Sequence, residues 1–230
     1  MVSVRGALRS APLFQGLDDH SLDLLEARMR GRVFRENETV FHREDIGNAL
    51  YVIRSGRVKI CLTAEDGRET VLALLSAGDC FGELAVLDGE PRSADAVAME
   101  RTETVMLTRS DFLNTLDQSP TLAKRIIVLL SRKLRQTNEQ LADMVFYDVH
   151  SRVAKRLLDL AAAHGERRPE GTTISVPLTQ QELANMVGAT RESVNRVLRY
   201  YAGRGFIKVA NQRITIVKPE GLRRQLGLTG

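Results

Sequence analysis

Thr179–Tyr201 is the stretch whose residue types and spacing most directly suggest chemistry, because it combines two short helical patterns with a row of long polar side chains. Thr179 can cap a first helix, and Glu182, three residues later, completes a capping box. Gly188 supplies a turn residue that tolerates positive φ, and Thr190 can cap a second helix. A helix anchored on one face and carrying hydrogen-bonding side chains on the other fits the major groove of DNA.

Apolar residues at helical spacing mark the buried faces of both helices. They are Leu183, Ala184 and Val187 in the first helix, and Val194, Val197, Leu198 and Tyr201 in the second. The residues that we predict to contact DNA are Thr179, Gln180, Thr190, Arg191, Glu192, Asn195, Arg196 and Arg199. Arginine can donate a fork to guanine O6 and N7, and a carboxylate can accept from cytosine N4. The alternative interpretation of this run is a solvated, charged helix face.

The segment Phe81–Ala94, FGELAVLDGEPRSA, combines residues that suit an anion. Gly82 lets the backbone approach a ligand closely, and Glu83-Leu84-Ala85 are predicted to open a short helix whose free amides could face the anion. Arg92 offers a guanidinium fork and Ser93 a hydroxyl. Because Glu83 would repel a phosphate, we expect it to face a neutral donor such as a sugar hydroxyl. In the alternative, Glu83 and Arg92 pair with each other.

An apolar stripe before the DNA-binding segment repeats every four and three residues in alternation. Its members are Ala123, Ile127, Leu130, Leu134, Thr137, Leu141 and Met144. This spacing is typical of the a and d positions of a two-stranded coiled coil, with Thr137 as a polar position that can set the register. A monomer would leave the stripe exposed, so we predict a parallel homodimer. A two-fold protein would in turn match a palindromic DNA site.

Between about Arg32 and Thr108, short apolar runs alternate with turn residues every eight to twelve positions, which indicates an antiparallel β sandwich or barrel. The runs are residues 50–53, 58–62 and 70–75. A helix is predicted before them, at Asp18–Met29. After Tyr201, the sequence predicts a wing of two short strands around Asn211-Gln212. Residues His164–Thr172 are predicted to form an exposed polar loop.

Composition and charge indicate which partners and which cellular compartment this protein is suited to. The 230 residues carry a net charge of +4, of which residues 148–230 hold +7 and the remainder −3. A basic C-terminal part fits contact with nucleic acid at that end of the chain. Two cysteines, no predicted signal peptide and no membrane-length apolar run lead us to expect a protein of the reducing cytoplasm, without membrane association.

The motif TRESVNR at 190–196 resembles the recognition helix of the Crp/Fnr family of bacterial transcription regulators. The resemblance implies that Arg191 and Arg196 read guanine and that Glu192 reads cytosine in a TGTGA-like half-site. It also implies an α+β fold with three parts. These are a jelly-roll-like, cyclic-nucleotide-binding β-roll at 1–118, a dimerisation helix and hinge at 119–147, and a winged helix-turn-helix at 148–230.

The Phe81–Ala94 segment resembles the phosphate-binding cassette of the same family. By that resemblance, Glu83 would hold the ribose 2′-hydroxyl, while Arg92 and Ser93 would hold the cyclic phosphate of cAMP. The Thr-Ser pair that contacts adenine in the family corresponds to Thr137 and Asn138, so an amide replaces the serine hydroxyl. In activators of the family, the loop corresponding to 164–172 can contact RNA polymerase. The ligand would act through a hinge near Phe146–Val149 that sets the spacing of the recognition helices.

Three other functions compete with this interpretation. One is a Crp/Fnr-type regulator that binds DNA constitutively or answers to another effector, with a vestigial nucleotide site. A sensor with an iron–sulfur cluster is disfavoured because such clusters need about four cysteines, and no residue argues for haem or a metal. An enzyme is disfavoured because no Walker-type loop, nucleophile elbow or metal-binding histidine pair is present.

Overall fold

The computed structural model describes residues 3–210 and 212–227, and the chain divides into two units between Arg135 and Gln136. None of the helices in these described ranges combines the length and the apolar character that a membrane span requires.

The first unit begins with helices and continues as a run of short strands. Its helices are α1 (Val4–Ser10), α2 (Asp19–Arg28), α3 (Glu83–Asp88), α4 (Arg109–Gln118) and the start of α5 (Pro120–Phe146), with a 3₁₀ turn at Pro12–Phe14. Its strands are β1 (Arg30–Phe34), β2 (Thr39–Phe41), β3 (Ala49–Ser55), β4 (Val58–Thr63), β5 (Glu69–Leu75), β6 (Cys80–Phe81), β7 (Asp95–Ala98) and β8 (Thr102–Thr108).

Within the described residues, these strands form two four-stranded antiparallel sheets, ordered β1-β8-β3-β6 and β2-β7-β4-β5. The predicted strands at 50–53, 58–62 and 70–75 are confirmed as β3, β4 and β5. Gly56 turns the chain between β3 and β4 with φ +87°, and a Cβ there would lie 2.5 Å from Thr102 Oγ1. Glycine is therefore required at this turn by conformation and by space.

The core of the first unit joins one sheet to the helices. Buried residues of β3 and β8, such as Leu50 and Leu107, lie in one cluster with Phe112 of α4 and Leu122 of α5. A second cluster, which includes Ile53 and Phe81, also takes in residues of β4 and β7. The predicted helix at 18–29 is confirmed as α2, which Asp18 caps by accepting from Ser21 N at 2.7 Å.

Helix α5 contains the whole predicted coiled-coil stripe in 27 unbroken residues. Leu122 and Ile126 near its start are buried, so this end is fixed to the core of the first unit. Several residues of the stripe are exposed in the single chain: Ile127 at 63%, Leu134 at 63%, Leu141 at 61% and Met144 at 47%. One helix thus presents an apolar surface to solvent over several turns.

The second unit begins within α5 and continues as a small helical domain with a sheet. Its helices are α6 (Val149–His164), α7 (Gln180–Val187), α8 (Arg191–Gly203) and α9 (Pro219–Arg224). Its strands are β9 (Gly165–Arg168), β10 (Gly171–Ile174), β11 (Ile207–Ala210) and β12 (Arg213–Ile216). The fully buried Tyr201 ties α8 to α6, because its hydroxyl donates to His150 O at 2.7 Å.

The prediction of a polar loop at His164–Thr172 is wrong. His164 ends α6, and the following residues form an antiparallel hairpin of β9 and β10 that extends the wing sheet in the order β11-β12-β10-β9. All of β9 is exposed, so its sequence lacks the apolar alternation that would have revealed a strand. The predicted wing strands are confirmed as β11 and β12, while Asn211 of the predicted turn lies outside the described residues.

Candidate functional sites: an anion pocket and a helix-turn-helix

A cavity of about 70 Å³ in the first unit gathers the predicted anion-binding residues. Strand β6 ends at Phe81, Gly82 adopts a left-handed conformation, and α3 then begins at Glu83. The cavity lining includes Gly82, Glu83, Leu84, Ala85, Arg92 and Ser93, together with Phe41, Phe81 and Lys133. Six predicted ligand-binding residues thus lie around one space, with Ser93 and Leu84 exposed at its surface and Ala85 buried.

Arg92 is held inside the protein by backbone carbonyls. Its Nη1 donates to Gly82 O at 2.7 Å and its Nη2 donates to Ala49 O at 2.6 Å. The guanidinium also lies over the Phe41 ring, 4.1 Å from the centroid. A Cβ on Gly82 would lie 2.6 Å from Arg92 Nη1, so the missing side chain at residue 82 is what makes room for the arginine.

Arg92 forms no direct ion pair within the described part of the chain, and the carboxylates of Asp45 and Glu83 act on its charge only from farther away. The side chain is 5% exposed, its buried Nε has no hydrogen-bond partner, and no described carboxylate lies within ion-pair distance. Burial lowers the pKa of the Arg92 guanidinium, because desolvation disfavours the charged form. Buried charges in proteins are normally paired, so this arrangement fits a site completed by an anion.

Glu83 has a partner that the sequence did not reveal. Only 1% of its side chain is exposed, and its Oε1 accepts from Lys133 Nζ of α5 at 2.7 Å. The alternative pairing of Glu83 with Arg92 is therefore wrong for this structure. The contact spans 50 residues of chain and has no local signal in the sequence.

Thr137 and Asn138, the predicted contacts to the base, lie on α5, four and five residues beyond Lys133. Both are exposed. They belong to the second unit, and a contact between these residues and a ligand remains a prediction.

The helix-turn-helix forms as its capping residues predicted. Thr179 Oγ1 accepts from Glu182 N at 3.1 Å, and Glu182 Oε2 accepts from Thr179 N at 2.7 Å, which completes the capping box. Gly188 ends α7 in the left-handed conformation with φ +59°. Thr190 caps α8 by accepting from Ser193 N at 3.2 Å. Local hydrogen bonds thus fix where both helices begin and end.

Helix α8 separates its apolar and polar faces as expected. Val194, Val197, Leu198 and Tyr201 are buried. Arg191, Glu192, Arg196 and Arg199 are exposed. Asn195 is half-buried, and its amide bonds to Gln180 of α7 and to Arg199. The four charged side chains form a row at the surface, as a major-groove helix requires.

A β domain with an anion pocket, followed by a long helix and a winged helix-turn-helix, defines a ligand-sensing DNA-binding protein. Comparison with known families agrees: residues 31–119 match the cyclic nucleotide-binding domain and residues 151–225 match the Crp-like helix-turn-helix domain. The chain belongs to the Crp/Fnr family of transcription regulators. It is a DNA-binding transcription regulator, and the family comprises regulators rather than enzymes.

Among curated relatives, the "CRP-like cAMP-activated global transcriptional regulator" of Mycobacterium tuberculosis is 36% identical over 218 residues, which cover 95% of this chain and 97% of the relative. The "Cyclic AMP receptor protein" of Thermus thermophilus is 35% identical over 202 residues, 88% and 90% of the two chains.

Among solved structures, the c-di-GMP-responsive regulator CLP of Xanthomonas campestris has a TM-score of 0.76 at 26% identity, covering 86% of this chain and 99% of that one. The Thermus thermophilus catabolite activator protein has a TM-score of 0.54 at 34% identity, covering 95% and 100%.

The Lys133–Glu83 pair provides a test of the pocket. Replacing Lys133 with Met leaves the buried carboxylate without its cation, and we expect the free energy of unfolding to fall by about 1–2 kcal/mol; this is less than for a fully buried pair because Lys133 is 40% exposed. Lys124→Met, at an exposed position of the same helix, is the control and should have little effect. Urea unfolding followed by circular dichroism measures both, and equal effects would contradict the assigned pairing.

Proposed function

We propose that this protein is a homodimeric transcription factor that binds a TGTGA-like palindrome under allosteric control by a cyclic nucleotide, with cAMP as the effector. The observation that carries the proposal is Arg92: among the described residues, its buried guanidinium forms no direct ion pair, and it lines a cavity that also presents Glu83. We place the protein in the cytoplasm, together with its DNA.

The chemistry of the pocket supports a sugar phosphate. Arg92 and Ser93 suit the cyclic phosphate, since both can donate to anionic oxygens. Glu83 can accept from a ribose hydroxyl while Lys133 holds its other oxygen or moves aside. Two relatives named for cAMP support adenine as the base. Thr137 and Asn138 are the proposed contacts to it, and an asparagine amide can both donate and accept.

Helix α5 supports a mechanism for the response. It carries Lys133 of the pocket, continues to Phe146, and is followed by α6 after only Tyr147 and Asp148. A nucleotide that favours one arrangement of two α5 helices would thereby favour one placement of the DNA-binding domains. The ligand shifts the equilibrium only by its difference in affinity for the two arrangements.

One structural neighbour suggests a competing effector. The Xanthomonas regulator CLP is described as responsive to c-di-GMP, and it shares this fold. A constitutive regulator with a vestigial pocket is the remaining alternative. For activation, the exposed strand β9 of the β9–β10 hairpin is our candidate contact with RNA polymerase.

The proposed control of DNA binding by a nucleotide is tested by fluorescence anisotropy on a TGTGA palindrome at fixed salt, with cAMP, with c-di-GMP and without nucleotide. We expect cAMP to tighten binding by about 5–150-fold, the usual range of allosteric coupling. Arg92→Leu should abolish this gain, whereas Arg68→Leu, at an exposed turn with its partner Asp66, should retain it. If only c-di-GMP tightens DNA binding, then c-di-GMP takes the place of cAMP as the effector. Tight DNA binding without any nucleotide effect would favour the constitutive alternative.

The dimer is tested at the middle of the apolar stripe. Leu134→Glu puts a charge on a side chain that is 63% exposed in the monomer and buried in the proposed coiled coil. Sedimentation equilibrium should show that the variant is monomeric at concentrations where the native chain is a dimer. Arg132→Glu, an exposed position off the stripe, is the matched control. If both variants remain dimeric, the interface lies elsewhere.

The base-reading role of α8 is tested at Glu192. Truncation to Ala should relax the preference for cytosine in each half-site by about 1–3 kcal/mol, because the carboxylate no longer accepts from cytosine N4. Binding to a set of single-base-pair operator variants measures this, with Glu220→Ala in α9 as the control. An unchanged preference would show that Glu192 does not read the base.

A further inference from the structure

Three hydrogen-bonded side chains connect the start of α7 to the exposed face of α8. Arg199 Nε donates to Asn195 Oδ1 at 2.7 Å, and Asn195 Nδ2 donates to Gln180 Oε1 at 2.8 Å. Gln180 and Asn195 are half-buried, and Arg199 is exposed. Asn195 is therefore the middle member of a chain that spans both helices of the DNA-binding motif.

The direction of this chain follows from arginine having donors only. Because Arg199 can only donate, the Asn195 atom that faces it must be the amide oxygen, so the Asn195 nitrogen faces Gln180. Gln180 must then present its oxygen to Asn195, which leaves its Nε2 to donate elsewhere. With Nε donating to Asn195, Arg199 keeps Nη1 and Nη2 as donors for another acceptor. One asparagine thus orients two donors.

We propose that Asn195 is a positioning residue: it holds Gln180 and Arg199 as a pair of donors to the phosphate backbone and does not itself identify a base. Phosphate oxygens accept only, so both presented groups have the right polarity. In a helix-turn-helix, the first helix crosses the DNA backbone, which suits the place of Gln180 at the start of α7. The inference rests on DNA binding through α8, as proposed above.

The test measures binding of full-length protein to a palindrome that the wild type first selects from a random library, and to all single-base-pair variants of that palindrome. Asn195→Ala should weaken binding about tenfold on every sequence, since phosphate contacts carry no base preference. The slope of log K against log salt should also become shallower by about 1, because the charged Arg199 no longer contacts its phosphate. Thermal unfolding of the variant shows whether the fold is retained.

The two partners provide an internal check with variants that leave the core intact. Gln180→Ala should weaken binding without a change of salt slope, because glutamine is neutral, whereas Arg199→Ala should change both. In the Gln180→Ala/Arg199→Ala background, adding Asn195→Ala should have no further effect on DNA affinity. Asn185→Ala is the matched control, since Asn185 Oδ1 accepts from Gln181 Nε2 of the same helix at 2.8 Å.

Several outcomes would overturn the inference. A loss confined to one base pair would make Asn195 a base-reading residue. A loss that persists in the double-variant background, or no loss at all, would show that Asn195 does not act through Gln180 and Arg199. If the wild type selects no palindrome, the proposed DNA site fails, and that result is distinguishable because it precedes any comparison of variants.

Discussion

The buried guanidinium of Arg92 is the constraint on which the anion pocket depends. Backbone carbonyls of Gly82 and Ala49 hold it in place, but carbonyls carry only partial charge and do not neutralise a cation. The left-handed Gly82 makes room for it, and Phe41 covers one face of its plane. The first unit therefore folds around a positive charge that an anionic ligand can neutralise at little cost in reorganisation.

The Glu83–Lys133 ion pair connects the anion pocket to helix α5. Glu83 begins α3 beside the cavity, while Lys133 lies on α5, the same helix whose exposed apolar residues form the proposed dimer surface. A ligand that takes the Glu83 oxygen bonded to Lys133 would change what Lys133 contacts. The proposed ligand contact and the proposed dimer surface thus lie on one continuous helix, which is the physical basis for the allosteric coupling that we propose.

In the DNA-binding unit, local interactions set the limits of the helices and long-range interactions join the helices to one another. Caps at Thr179 and Thr190 define the helices, and the buried hydroxyl of Tyr201 joins α8 to α6. The exposed face is not a set of independent side chains, because Asn195 links residues of two helices. Affinity for the backbone and recognition of bases can therefore depend on different members of the same surface.

Local signals in the sequence determined the strands of the β domain, the limits of α7 and α8, the buried face of α8 and the residue types around the anion pocket. These features depend on contacts within a few residues, such as a threonine and the amide three positions on. Only the tertiary structure decided that Lys133 pairs with Glu83, that Ala49 holds Arg92, and that residues 165–168 form a strand. The two side-chain contacts join segments 50 and 43 residues apart, so packing of whole elements creates them and no local pattern encodes them. Strand β9 pairs with the adjacent β10, but its exposed residues lack the alternation that marks a strand in the sequence.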